Sequence, residues 1–243
     1  MSLFRLSSVA ACVLISFISP AWADTFNKDC PQFFANGHPP AAKAEKGREL
    51  CFSHFAVLHS GVTRTPVFSA ERLTPDEVKA AKKVKRKDQF FADHRLPESE
   101  RAELADYANS GYDRGHMSPD HDQPDETSMA QSFSLANMVP QSPHNNRGPW
   151  AGYEKATRQY VERSGHTVYL ITGPVFGQHP QQLNGRVSIP AQIYKLVYDP
   201  SANRAWAYWT DNTDDARSGA PISYAELTKR IRIELLPGLK PNS

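Results

Sequence analysis

The run Tyr112-Asp113-Arg114-Gly115-His116-Met117 constrains this chain more than any other stretch. It sets an acid, a permanent cation, a glycine and an imidazole side by side. Alternate side chains of an extended segment share a face, so a strand here carries Arg114 and His116 on one side. The first offers a planar donor fork to a phosphate, and the second is a base that stays neutral near pH 7. That pair suits attack on a phosphodiester. Further along, Asn137, Asn145 and Asn146 supply amide oxygens, hard donors of the kind Mg²⁺ accepts.

Residues 1–23 are not expected in the fold. Arg5, an apolar run from Val9 to Ile18 and the small-x-small pattern Ala21-Trp22-Ala23 predict a signal peptide cleaved after Ala23. The run is shorter than the ~20 residues of a spanning helix, which argues against an anchor. Residues 24–243 are then the mature domain, periplasmic or secreted, with no membrane segment. Loss of Arg5 lowers the formal charge of +2 by one. Affinity for nucleic acid must therefore come from a local patch. Cys12 leaves with the leader. Cys30 and Cys51 remain as an even pair in an oxidising compartment, where a disulfide is expected.

Residues 24–46, rich in Pro, Ala and Gly, read as an irregular arm. Leu50 to Ser60 and Thr63 to Leu73 predict a hairpin turning at Ser60-Gly61, with Pro66 at an edge or bulge. Thr74-Pro75-Asp76-Glu77 starts a short helix, and the lysines that follow read mostly as a solvated face. Pro97 to Tyr107 has a helical pattern, and Asn109-Ser110-Gly111 turns the chain into the motif strand. Asp120-His121-Asp122 reads as solvated loop polarity. Phe133 to Asn137 is extended and enters a turn at Pro140. Trp150 to Val161 is the clearest helix, stopped at Ser164-Gly165. Thr167 to Thr172 is a buried strand broken by Gly173-Pro174. Ala191 to Tyr198 pairs with Arg204 to Thr210, and a helix from Ser223 to Leu235 closes the chain. With no internal repeat or linker, the expectation is a single α+β domain: a central antiparallel sheet flanked by helices.

Three blocks carry a family resemblance: Asp113-Arg114-Gly115-His116, then Leu135-Ala136-Asn137-Met138-Val139-Pro140-Gln141, then Asn146-Arg147-Gly148-Pro149-Trp150 with Glu154. In this order they resemble the DNA/RNA non-specific endonucleases of the ββα-metal type, which include secreted bacterial nucleases and the mitochondrial endonuclease G group. The resemblance covers roughly Phe55 to Val197. It implies His116 as general base and, through the spacing to Gly148, Asn146 as metal ligand; the residues alone leave Asn145 open as a competitor. It implies Mg²⁺, with Mn²⁺ able to substitute, DNA and RNA as substrates, and 5′-phosphate ends. Arg86 heads a block, Arg86 to Asp93, that resembles the one whose arginine faces the scissile phosphate. Asn137 matches an asparagine that orders the site.

Glu154 lies about 80° around a helix from Asn146 at ~100° per residue, near enough to hold a metal-bound water. Arg114 belongs to the phosphate environment, with a structural ion pair as the alternative, and Asp113 organises the motif. A catalytically weak nucleic-acid-binding module on a nuclease fold is the competing class; His116, Asn146 and Glu154 together favour the enzyme. A zinc hydrolase lacks a His/Cys/Asp triad. No element presents side chains for reading bases, and nothing specifies an oligomer or an inhibitor.

Overall fold

The computed structural model describes residues 25–242. The signal peptide expected over residues 1–23 lies outside the described residues. The arm is more ordered than its composition suggests: α1 (Thr25–Asp29) and two helical turns at Pro31–Phe33 and Ala35–Gly37 precede an irregular stretch. Phe26, Phe33 and Phe34 are buried against the sheet, and that burial orders the backbone. Cys30 and Cys51 are bridged, with Cα atoms 5.9 Å apart, so the arm is tied to the first strand.

The expected strand from Leu50 to Ser60 is two strands, β1 (Gly47–Cys51) and β2 (Phe55–Ser60). Phe52 and Phe55 stack at 4.2 Å across the turn between them, so the apolar pattern runs on where the backbone reverses. β3 (Thr65–Leu73) pairs with β2, and the register shifts between Leu58 and His59, opposite Pro66. α2 (Pro75–Ala81) opens with a reciprocal cap between Thr74 and Glu77. The helical stretch expected from Pro97 shrinks to α3 (Leu104–Tyr107). Its first acids turn outward to partners instead, as Glu100 does to Arg48.

The motif forms β4 (Asp113–His116). α4 (Glu126–Ser132), capped by Asp125, is too short to show a period in the sequence. β5 (Met138–Gln141) pairs antiparallel with β4 and contains Pro140, which was expected to end an extended piece. Both strands of this ribbon are edges, where a residue without an N–H is tolerated. α5 (Pro143–Asn145) passes through a π turn, Asn146–Trp150, into α6 (Ala151–Ser164), which stops at Gly165 with φ of 70°. Two strands and a helix are thus contiguous in space.

β6 (Val168–Val175) does not break at Gly173. A Cβ there would sit 2.6 Å from the Tyr194 hydroxyl and 2.7 Å from the Val67 carbonyl, so the glycine permits close packing within the strand. β7 (Gln182–Leu183) and β8 (Val187–Ser188) make a small hairpin, and β9 (Gln192–Asp199), β10 (Arg204–Asp211) and β11 (Ile222–Ser223) follow. α7 (Tyr224–Ile231) is capped by Ser223 and ends at Arg232, so Leu235 and Leu236 reach the core from beyond the helix.

The central sheet has the order β1-β2-β3-β6-β9-β10-β11, and every pairing is antiparallel. On one face the arm and α7 bury Phe26, Phe34, Phe68, Leu196 and Leu227. On the other, α2 and α6 cover Val168, Leu170 and Val197, and the β4–β5 ribbon packs through Met117 and Val139. Each such fully buried side chain contributes ~1.5–3 kcal/mol. Alternation on β3, β6 and β9 also points Glu71, Thr172 and Lys195 toward this second face, beneath the ribbon.

Candidate active site

Pairing of Gly115 with Val139 and His116 with Met138 fixes the pleat of β4, so Arg114 and His116 face one cavity. Gly115 is required between them, because a Cβ there would collide with the side chain of Gln141. The cavity has a volume of about 510 Å³. Arg86, Arg114, His116, Asn146 and Glu154 all line it. Those residues come from the loop after α2, from β4, from the π turn and from α6.

His116 lies edge-on to Phe133 at 5.0 Å, with Phe90 at 5.9 Å. These rings also carry the cations: Arg114 lies over Phe90 at 4.3 Å and Arg86 over Phe133 at 5.6 Å. Arg114 therefore sits on an aromatic ring, and no ion pair holds it among the described residues. Burial pulls the His116 imidazole down to about 4, with Arg86 and His121 pushing the same way against Asp120 and Asp88. At neutral pH the ring is uncharged and can accept a proton.

Asp113 organises the other wall. Arg147 grips it through Nε at 2.9 Å and Nη2 at 2.7 Å, and Nδ2 of Asn146 donates to it at 2.9 Å. With its nitrogen engaged, Asn146 presents its carbonyl oxygen as the free end of the amide. Asn145 is fully buried, donates to the Asp211 carbonyl at 3.0 Å and does not line the cavity. Glu154 has no hydrogen bond or ion pair among the described residues. Burial pushes its carboxyl up to about 7; Asp122 and Asp120 push the same way, while Lys195 and Arg158 oppose.

Asn137 lies under the cavity instead of in its wall. Its Oδ1 accepts from the Ser69 hydroxyl at 2.8 Å and the Ser118 N–H at 2.9 Å. Its Nδ2 donates to the carbonyls of Ser118 and Ser132 at 2.9 and 3.0 Å. Ser118 in turn donates to Glu71 at 2.6 Å, and Lys195, wholly buried, donates to Thr172 at 2.8 Å. Burial pushes Glu71 up to about 8, against the pull of Lys195. This polar layer holds the loop that leaves His116.

The turn Asp120-His121-Asp122 differs from the expected solvated loop. Asp120 and Asp122 are buried, because Arg86 meets the first at 2.9 Å and Arg158 the second at 2.8 Å. Arg158, a cation of the cavity wall, was missed; standing four residues after Glu154, it shares that face of α6. The Phe90–Phe133 floor was missed as well.

Among the described residues no three of His, Cys, Asp and Glu gather as a metal cage. One free amide oxygen and one unpaired carboxylate in a wet cleft instead suit a hard cation that keeps much of its water.

A two-stranded ribbon followed by a helix, with an imidazole on the ribbon and an amide at the helix start, defines the ββα-metal nuclease class. The chain belongs to the DNA/RNA non-specific endonuclease family, whose sequence profile matches residues 35–236. It is 31% identical over 199 residues to the mitochondrial nuclease of Saccharomyces cerevisiae, covering 74% of this chain and 59% of that one. Nuclease C1 of Cunninghamella echinulata is 32% identical over 185 residues, 71% of each chain. Human mitochondrial endonuclease G is 35% identical over 147 residues, 56% of this chain and 49% of that one. The chain thus spans between about half and seven-tenths of these relatives. A chain in the crystal structure of an EndoG/EndoGI complex shares the fold, with a TM-score of 0.71 at 22% identity over 86% of this chain and 91% of that one.

Proposed function

We propose that this chain is a divalent-metal-dependent endonuclease that hydrolyses the phosphodiester bonds of DNA and RNA without sequence specificity and leaves 5′-phosphate ends. The observation that carries the reading is a neutral, buried His116 in one cavity with Arg86, Arg114, Asn146 and Glu154. His116 takes a proton from the attacking water. Arg86 and Arg114 meet the scissile phosphate, which carries no sequence information. Asn146 offers its carbonyl oxygen to the cation and Glu154 orients water beside it, while Asp113 sets the amide. Mg²⁺, with Mn²⁺ as a substitute, would neutralise charge on the phosphoryl and departing oxygens. Asn137 keeps the loop after His116 in place.

The leader reading extends this proposal: residues 24–243 act as one exported domain, in the periplasm or beyond it. No helix of the described residues is long and apolar enough to cross a membrane. The test is nicking of supercoiled plasmid, and digestion of single-stranded DNA and RNA, with Mg²⁺ and with a chelator. Cleavage of all three polymers is expected, lost on chelation and lowered at least ~10²-fold by His116→Ala. Cleavage that survives the chelator, or a folded His116→Ala within about tenfold of the parent, contradicts it.

A further inference from the structure

We propose that His121, held by Asp120, is a second catalytic imidazole of this cavity, the acid that protonates the departing 3′ oxygen. The inference deepens the nuclease reading and rests on it. Asp120 Oδ1 accepts twice from the next residue, from its backbone N–H at 2.8 Å and its ring Nδ1 at 2.7 Å. A carboxylate at Nδ1 fixes the proton there and turns Nε2 outward. Asp120 is itself buried and its other oxygen lies 2.9 Å from Arg86, so the ring is tied to the cation assigned to the phosphate. The His121 side chain is 61% exposed and stands on the cavity rim. Such a dyad is not sufficient by itself: His166 pairs with Asp199 in the same way, at 2.7 Å, but away from this cavity. Location among Arg86, Asn146 and His116 is what distinguishes His121.

The charges around the two rings agree with a division of labour. The bond to Asp120 raises His121 above the ordinary imidazole value, while burial, Arg158 and Arg86 oppose. From the neighbouring recess, Lys82, Lys155 and Glu162 face the same ring, with Lys82 and Glu162 paired to each other. His116 is shifted the other way by burial. Two like groups pushed apart in one cavity mark a base and an acid. His116 removes a proton from water as its oxygen bonds to phosphorus. The bond from phosphorus to O3′ breaks, and the electron pair on O3′ takes the proton from Nε2 of His121. Exchange with solvent then returns both rings to their starting states.

The test is an oligonucleotide with sulfur in place of the bridging 3′ oxygen at one linkage, since a thiolate departs without a proton. His121→Asn and His121→Gln, digested with Mg²⁺, should lose ~10²-fold at the oxygen linkages and remain within about threefold of the parent at the sulfur linkage of the same molecule. The basic limb of the pH profile should vanish in both variants, and in Asp120→Asn it should move to lower pH. Equal loss at the two kinds of linkage, or no loss at oxygen linkages, overturns the assignment. A parent chain that cuts neither kind sinks the nuclease reading with it, whereas a parent that cuts beside unaffected His121 variants sinks the inference alone.

Discussion

Replacing Asn137 by Ala separates a positioning role from a chemical one. The side chain is wholly buried and spends its whole capacity on four partners: Ser69 Oγ, the Ser118 N–H, and the carbonyls of Ser118 and Ser132. Truncation orphans all four. Leaving one buried polar group unpaired costs ~1–3 kcal/mol, and a water entering the space recovers part of the total. A net loss of about 3–5 kcal/mol follows, within the upper range of single substitutions. At ~2–4 °C per kcal/mol for a chain of this size, the midpoint should fall by about 10 °C. Two of the lost bonds fix Ser118, two residues after His116, so activity should fall as well, even where the variant is fully folded. Mg²⁺ affinity should change little, because Asn146 is held independently by Asp113. The assays are urea denaturation, Mg²⁺ titration and plasmid nicking well below the midpoint. A variant as stable as the parent but inactive would refute the reasoning and make Asn137 a direct participant in the chemistry.

Other perturbations have equally definite outcomes. Asn146→Ala should abolish the response to Mg²⁺, whereas Asn145→Ala, which removes a buried bond to the Asp211 carbonyl, should lower stability and keep that response; calorimetric titration and thermal melts decide it. Reducing the Cys30–Cys51 bridge, 21 residues apart, should cost ~3 kcal/mol in the chain-entropy model, and nicking measured below the new midpoint should persist. His59 is buried, and that burial holds its pKa at about 4, below the unfolded value of 6.5. The unfolded chain therefore binds the proton first, and this residue's contribution is complete above pH 6.5 and lost as pH falls toward 4. Chemical denaturation of the parent and His59→Gln across this window should show the smaller acid sensitivity in the variant; parallel curves would count against it.

Local spacing explains which parts of this site can be read from a sequence. Arg114 and His116 share a face because a strand has period two, and Asn146 and Glu154 converge because a helix has period 3.6. Neither rule needs the rest of the molecule. Asp120 and Asp122 had no such rule to announce them: in a proline-bearing turn, polar residues read as solvated until Arg86 and Arg158 arrive from elsewhere in the fold. Arg158 was within reach, since helical spacing from Glu154 puts it on the same wall. The sheet left a further signal, in Glu71 on β3 and Lys195 on β9. A charge within an apolar strand must find a partner or lose its proton. These two alternate onto one face, 3.8 Å apart, beneath the loop from His116. Replacing the pair with apolar residues of similar size is the kind of change that often leaves stability intact. Here it would also remove the acceptor of the Ser118 hydroxyl and the cation nearest the acids of the cavity. Retention of this buried pair is therefore better explained by the site above it than by the stability of the sheet.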